Sequence, residues 1–249
     1  MKHEIPRILA HRGTLEAFTE NGLMAFKYAM ENGLTGFETD FHLSADGHLI
    51  VMHDNDIKRT TNGEGIVEKM TLEQIKSFKL KYSDEQIPTA EELFELFADK
   101  EDFYIELEMK PRYGELYSPE RMDEFLNKLY ALAAKMLSNG TYVFTCFSIP
   151  VLKRMKEFHP EAKTGLIGAG LTQEMIDAAV DAGCYSIAPT FDDTEQALVD
   201  KAIAAGLKVN LWHSETPELW KKARDMGATV STNNHPIAVL NAIKAEGLV

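Results

Sequence analysis

Short β-rich runs alternate with amphipathic helical patterns along almost the whole chain, and this alternation limits the possible folds more than any other feature. Nine runs predict strands, at 8–12, 35–42, 48–53, 103–110, 141–147, 163–168, 185–189, 207–213 and 228–232. Because a strand followed by a helix returns to a parallel neighbour, the order predicts parallel strands with crossover helices. In a chain of 249 residues it favours the α/β class and a (β/α)8 TIM-type barrel. A doubly wound open sheet is the alternative, which is disfavoured because no G-x-G-x-x-G follows a strand.

The run at 48–53 is one strand too many for an eight-stranded barrel. It follows the tight turn SADG, in which Asp46-Gly47 favours a hairpin, and a hairpin is antiparallel. We therefore interpret this run as a return strand outside the parallel set. Folding about the turn brings His53 back beside residues 38–40.

Residues 54–102 interrupt the alternation with a loop and two short helical patterns. Each helical pattern begins with a capping box, at Thr71 and at Thr89. We interpret the segment as a small inserted subdomain on the catalytic face of a single barrel domain that spans 1–249.

The net charge of −13 argues against a nucleic acid or an anionic membrane as partner. No stretch has the apolar length that a bilayer requires, so stable membrane insertion is not expected. Cys146 and Cys184 lack the spacing of a metal site and are typical of reduced core residues. These features predict a cytoplasmic protein with a small-molecule substrate, and its oligomeric state stays unknown.

Two of the predicted strands carry acidic residues on the face that should point into the barrel. In GFETDFH the phenylalanines alternate with Glu38 and Asp40, and in FYIELEMK apolar residues alternate with Glu106, Glu108 and Lys110. The apolar faces suit the surrounding helices, so the charged faces are expected to point inward. Barrel interiors are normally filled by Val, Ile and Leu, which makes these positions candidates for a site at the carboxyl ends of the strands.

Buried carboxylates without compensation cost several kcal/mol each. One divalent cation bound by Glu38, Asp40 and Glu108 would compensate them, and oxygen ligands favour Mg²⁺ or Ca²⁺. The alternative is a buried ion-pair network in which Arg12 and Lys110 neutralise the carboxylates. Acidic residues on two strands, together with nearby histidines, favour the metal.

The stretch ILAHRG ends a buried strand in His11 and Arg12, and Gly13 frees the backbone so that both side chains can turn toward the barrel mouth. HRG alone is more typical of a surface turn, and His53 alone indicates little. Together, two imidazoles, Arg12 and Lys110 around a metal suit attack on a phosphodiester. One histidine would take the proton of the nucleophile and the other would protonate the leaving alcohol.

These residues resemble the bacterial glycerophosphodiester phosphodiesterases. AHRG, TENG, GFETDFHLSADGHLIVMHDNDIKRTTNGEG, IPTAEELF and IELEMKP follow the pattern of that family in order and spacing. The resemblance implies a barrel with a small insertion, and metal-dependent hydrolysis of glycerophosphodiesters to glycerol 3-phosphate and an alcohol. It implies His11 and His53 as the acid–base pair, Arg12 and Lys110 as phosphate ligands, and Glu38, Asp40 and Glu108 as metal ligands.

The last third departs from the family pattern. Asn234 in NNHP stands at an Asp of the family, and NLWHSE keeps only Trp212 of a W-T-V-N stretch. CFS keeps Phe147 but not the surrounding Ser-Phe-Asp pattern. We expect Phe147 and Trp212 to line the substrate pocket, with plain core packing as the alternative.

Two other functions remain open from the sequence. One is phospholipase D-like cleavage of a lysophospholipid or sphingolipid, and the other is a non-catalytic barrel that binds a phosphorylated ligand. The sequence also leaves open the alcohol, the choice between the two metals, which histidine is the acid, and whether water or the glycerol 2-hydroxyl attacks.

Overall fold

Nine strands form one sheet in the computed structural model, which describes residues 5–192 and 194–249. Eight of these strands are parallel and close into a barrel, as the alternation predicts, because β1 pairs with both β2 and β9. All nine strands lie within the predicted runs or differ from them by a residue or two. They are β1 (Arg7–Ala10), β2 (Gly36–Leu43), β3 (Leu49–Val51), β4 (Tyr104–Met109), β5 (Thr141–Cys146), β6 (Thr164–Gly168), β7 (Ser186–Pro189), β8 (Lys208–Trp212) and β9 (Val230–Asn233).

Helices surround the barrel, and several begin at the caps that the sequence predicts. Ser118 and Thr216 each cap a helix whose first residue is proline, and Thr71 and Thr89 each form a complete capping box. The described helices are α1 (Leu23–Glu31), α2 (Leu72–Lys76), α3 (Ala90–Glu95), α4 (Pro119–Met136), α5 (Ile149–Phe158), α6 (Gln173–Asp181), α7 (Gln196–Ala204), α8 (Pro217–Met226) and α9 (Pro236–Ala245).

The predicted hairpin is present, with β3 antiparallel to the end of β2. Phe41 lies opposite Val51, and the turn between the strands places Gly47 at φ +82°, a left-handed conformation that glycine adopts without strain. The backbone N–H of Met52 donates to the carbonyl of Asp40 over 3.1 Å. His53, the next residue, therefore lies beside the inward face of β2, as expected.

The main core lies between the strands and the helices. Phe37 and Phe41 point outward from β2 and meet Phe97 and Phe94 edge to face, with ring centroids 5.2 and 5.7 Å apart. All four rings are buried. Since successive side chains of a strand alternate between faces, this outward packing directs Glu38 and Asp40 into the barrel.

A second, separate apolar cluster lies under the segment that follows β3. Its buried members are Ile50, Met52, Ile57, Val67, Ile75, Leu80 and Ile87. Two 3-10 turns, Ile57–Arg59 and Val67–Lys69, and helix α2 surround it, whereas α3 packs in the main core through Leu93 and Phe94. We propose that residues 50–87 form the separately packed part of the insertion, and the limits 54–102 stay a prediction.

Within the described ranges, no helix combines the length and the apolar character that crossing a membrane requires. The longest, α4, has 18 residues and carries charged side chains along its length. Both cysteines are free thiols; Cys146 is buried and Cys184 is partly buried.

Candidate active site

The turn after β1 delivers His11 and Arg12 to the carboxyl-terminal mouth of the barrel. The strand ends at Ala10, and a 3-10 turn follows from His11 to Gly13. Arg12 and Gly13 have φ of +53° and +87°, both left-handed, so the chain bends sharply at the strand end. Both side chains therefore turn toward the mouth, as the glycine predicts.

Three carboxylates meet inside the barrel mouth: Glu38, Asp40 and Glu108. The register of β2 against β4 pairs Asp40 with Glu108. One oxygen from each carboxylate lies within 4.8 Å of the others, and all three residues are buried. The structure thus brings together the three side chains that the sequence predicts as metal ligands.

Two cations neutralise this cluster in part. Lys110 Nζ donates to Glu108 Oε1 over 2.7 Å and lies 3.5 Å from Asp40 Oδ1, while Arg12 Nε lies 3.5 Å from Asp40 Oδ2. Burial alone would raise the pKa of Asp40. The positive charges of Lys110 and Arg12 outweigh burial and hold this pKa well below its usual range. The ion-pair network of the alternative interpretation therefore exists, but it is centred on Asp40.

The cluster retains oxygen atoms that the protein does not satisfy. Glu38 Oε1 and Asp40 Oδ1 are buried and have no hydrogen-bond partner among the described residues. Burial and the neighbouring Asp40 raise the pKa of Glu38 well above its ordinary value and that of Glu108 to about 7. Closely spaced carboxylate oxygens without hydrogen-bond partners are suitable ligands for a hard divalent cation.

Each histidine is held through its Nδ1 atom. His11 Nδ1 lies 2.6 Å from Asn234 Oδ1, and His53 Nδ1 lies 2.6 Å from Asp54 Oδ1. This leaves Nε2 of each ring to face a ligand, and His11 Nε2 is 3.7 Å from Glu38 Oε2. Burial first, and then the Arg12 charge, lowers the pKa of His11 to about 4, and burial also lowers the pKa of His53.

An ion-pair chain that the sequence analysis missed connects the two histidine-bearing turns. Glu20 accepts from Arg12 Nη1 over 2.8 Å and from both terminal nitrogens of Arg59 over 2.7 Å each. Arg59 Nε also contacts Asp54 Oδ2, the carboxylate that holds His53. Glu20 lies in the TENG stretch and Arg59 in the HDNDIKR stretch, so both stand in motifs that the sequence displays without revealing their contact.

His42 joins the insertion to His53. Its Nδ1 lies 2.6 Å from Glu68 Oε1, and its Nε2 lies 3.1 Å from the His53 carbonyl oxygen. Both partners accept hydrogen bonds, so the buried ring is held between the insertion and the backbone of the second histidine.

Two cavities of different character meet at His53. The inner cavity, about 90 Å³, lies inside the barrel mouth and is bordered by His11, Phe147 and Trp212. The two aromatic rings meet edge to face with centroids 6.5 Å apart, and Trp212 Nε1 donates to the Ala188 carbonyl. The predicted pocket residues thus line a cavity.

The outer cavity, about 740 Å³, lies between the insertion and the loop after β4. Most of its lining is charged: Asp54, Asp56, Lys58, Arg59, Glu68, Lys110 and Arg112. A ligand group in this cavity would find ionic partners of both signs, beside the apolar side chains of Pro111 and Leu116.

The fold and the site together define a class: a (β/α)8 barrel whose mouth carries buried carboxylates, two histidines and two cations. These are the groups that acid–base chemistry on a bound anion requires. Residues 11–237 match the family described as the glycerophosphoryl diester phosphodiesterase family. The chain belongs to this family, and its activity is the hydrolysis of glycerophosphodiesters.

A curated relative and a solved structure illustrate the similarity. The chain is 32% identical over 248 residues to a glycerophosphodiester phosphodiesterase of Caldanaerobacter subterraneus subsp. tengcongensis, covering 96% of this chain and 98% of the relative. It shares the fold of an Oleispira antarctica phosphodiesterase solved with its product sn-glycerol-3-phosphate, with a TM-score of 0.86 and 23% identity. That comparison covers 96% of this chain and 97% of the other.

Proposed function

We propose that this hydrolysis yields glycerol 3-phosphate and an alcohol and uses one divalent cation, Mg²⁺ or Ca²⁺, held by Glu38, Asp40 and Glu108. The observation that carries the proposal is the buried carboxylate cluster with two unsatisfied oxygens, placed beside two imidazoles. The Oleispira relative, which was solved with sn-glycerol-3-phosphate, supports this product.

When bound, the cation would supply charge neutralisation to the non-bridging phosphate oxygens. Arg12 and Lys110 would bind the same oxygens, because both are cations at the rim of the cluster. A guanidinium pairs with phosphate in two-point geometry, whereas an ammonium acts as a compact point charge. The attraction of Arg12 and Lys110 for the phosphoryl group would strengthen as negative charge accumulates on it in the transition state.

The two cavities support an orientation for the substrate. The inner cavity suits the small glycerol part and the outer cavity suits the alcohol part. His53 borders both cavities, whereas His11 borders the inner one. His53 would then protonate the alcohol oxygen as its bond to phosphorus breaks. His11 would take the proton of the attacking water as the new bond to phosphorus forms, which gives glycerol 3-phosphate directly. If the glycerol 2-hydroxyl attacks instead, His11 would take its proton, a cyclic phosphate would form as the alcohol leaves, and a water would then open it to glycerol 3-phosphate.

The cavity sizes disfavour the phospholipase D-like alternative. A lysophospholipid would place its acylated glycerol in the inner cavity of about 90 Å³, which has no room for a long acyl chain. The outer cavity has room, but the proposed orientation places the alcohol there and not the acylated glycerol. A non-catalytic binding barrel needs no acid–base pair, yet both imidazoles border the cavities.

We also propose a cytoplasmic location. Two free thiols, neither of them in a disulfide, are typical of a reducing compartment.

The test is release of glycerol 3-phosphate from glycerophosphocholine, measured after chelation and again with Mg²⁺ or Ca²⁺ restored. We expect release with metal and little without it. Lysophosphatidylcholine serves as the competing substrate, and faster cleavage of it would contradict the assignment of the cavities.

The acid–base roles are tested by changing the leaving group. An aliphatic alcohol leaves poorly without a proton, whereas nitrophenolate leaves unaided. The loss of rate in His53→Ala should therefore be about 10²- to 10⁴-fold larger on glycerophosphocholine than on a nitrophenyl phosphodiester. His11→Ala should lose similar rate on both substrates, and His48→Ala, an exposed histidine of the hairpin turn, should lose none. Equal losses for both site variants on both substrates would contradict the assignment.

A further inference from the structure

We propose that Asn234 and Glu215 are positioning residues for His11, which hold its imidazole as the Nδ1–H tautomer so that an unprotonated Nε2 faces the acidic cluster. This inference rests on the proposed function of His11 as the base. It concerns two residues that stand where the sequence departs from the family pattern, in NNHP and NLWHSE.

The hydrogen bonds determine which way the Asn234 amide points. Asn234 Nδ2 donates to Glu215 Oε1 over 2.9 Å, and the Asn234 backbone N–H donates to Glu215 Oε2 over 2.9 Å. A carboxylate accepts hydrogen bonds and cannot donate them, so the amide nitrogen must face Glu215. The amide oxygen is therefore directed at His11 Nδ1, 2.6 Å away.

An oxygen acceptor at this distance requires a proton on His11 Nδ1. In the neutral ring that proton leaves Nε2 with its lone pair, and Nε2 is the atom on the side of Glu38. Reversing the Asn234 amide would present an N–H donor to Nδ1 and would favour the other tautomer, in which Nε2 cannot accept a proton. Glu215 thus controls the chemistry of a ring that it does not touch.

The pair is built into the ends of neighbouring strands. Asn234 follows β9 directly and its carbonyl accepts from the Leu15 backbone over 3.1 Å. Glu215 follows the buried Ser214, whose hydroxyl donates to the Leu211 carbonyl over 3.0 Å. Glu215 forms no ion pair with any residue in 5–192 or 194–249. Its carboxylate instead accepts the two hydrogen bonds from Asn234.

The two histidines are therefore held differently. His53 Nδ1 contacts the Asp54 carboxylate directly, whereas Nδ1 of His11 reaches a carboxylate, Glu215, only through the Asn234 amide. At Nδ1, an imidazolium on His53 is stabilised by a full adjacent charge, and one on His11 by a polarised amide dipole.

A double-mutant cycle tests the inference. Glu215→Gln replaces the pure acceptor by a group that can also donate, which allows the Asn234 amide to reverse. Asn234→Asp places a second carboxylate 2.9 Å from the first. Each single variant should lower kcat about 10- to 100-fold with little change in KM, the usual cost of losing an orienting partner of a functional histidine.

The double variant Glu215→Gln/Asn234→Asp exchanges the acid and the amide. The amide N–H of the glutamine introduced at position 215 can donate to the aspartate introduced at position 234. The amide oxygen of that glutamine still accepts from the backbone N–H of residue 234. All three hydrogen bonds are then restored, and kcat should recover to within about threefold of wild type, opposite to the additivity expected of independent sites. A double variant as slow as the product of the two single losses would overturn the proposal.

Ring ¹⁵N chemical shifts of His11, in protein without substrate, provide the measurement that does not depend on activity. We expect protonated Nδ1 and unprotonated Nε2 in wild type and in the double variant, and a mixture or the opposite in Glu215→Gln. The opposite tautomer in wild type would overturn the proposal even if the single variants fold poorly.

The failures of the two proposals are distinguishable. Inactive wild-type protein with the expected His11 tautomer would contradict the proposed function alone. Active wild-type protein with active Glu215→Gln would contradict the positioning role alone.

Discussion

Binding of a divalent cation should raise the melting temperature, because the carboxylate cluster is incompletely compensated. With Glu38, Asp40 and Glu108 ionised, Arg12 and Lys110 leave one formal negative charge on the group, and two buried oxygens have no hydrogen-bond partner among the described residues. The raised pKa values of Glu38 and Glu108 show that burial without a cation disfavours their ionised forms. A cation would relieve this penalty in the folded state only.

The size of the effect follows from linkage. A ligand present at 100 times its dissociation constant stabilises the folded state by about 2.7 kcal/mol. In a chain of this length about 1 kcal/mol raises the melting temperature by roughly 2–4 °C. We therefore expect an increase of about 5–11 °C at saturating metal.

The assay is thermal unfolding after chelation, followed by addition of Mg²⁺, Ca²⁺ or Mn²⁺ without substrate. Glu108→Gln should lose most of the increase because it removes one of the three ligands. Glu106→Gln is the matched control: Glu106 lies two residues away on β4 and is equally buried, but it bonds to Tyr104 and Asn210, outside the cluster. It should keep the increase.

Two results would refute this reasoning. One is a melting temperature that none of the three cations changes. The other is an equal increase in Glu108→Gln and Glu106→Gln, which would place the metal elsewhere.

Three further predictions concern the surroundings of the cluster. Arg12→Lys should lower kcat/KM about 10² to 10³-fold, as loss of one transition-state donor does, while the melting temperature falls little because a positive charge remains beside Asp40; a fall in stability that matches the loss of activity would make Arg12 structural. Glu20→Gln should destabilise the chain at pH 7, and this loss of stability should shrink as the pH falls. Arg59 and Arg12 outweigh burial and lower the pKa of Glu20, so its contribution is fully present above the unfolded-state pKa and is lost as the pH falls through the lower folded-state pKa. A pH-independent difference in denaturant unfolding would contradict that. Trp212→Leu should raise KM for glycerophosphocholine several-fold with kcat nearly unchanged, and an unchanged KM would favour plain core packing.

The sequence by itself determined the strands, their order and the faces they present. The strict alternation around Glu38 and Asp40 is enough to direct both side chains inward, because a strand has a period of two and its phenylalanines must face the helices. Asp46-Gly47 is enough to predict the antiparallel return of β3 and so the position of His53. These features depend on neighbours a few residues apart, which local patterns record.

Tertiary structure alone decided which side chains hold the two histidines and the cations beside them. Asn234 meets His11 across 223 positions of sequence, and Glu20 meets Arg59 across 39. Such contacts depend on barrel closure between β1 and β9 and on where the insertion folds back over the mouth. Hydrogen-bonding side chains such as Asn234 carry no periodic signal, so their roles arise only when strand ends distant in sequence are brought to one rim.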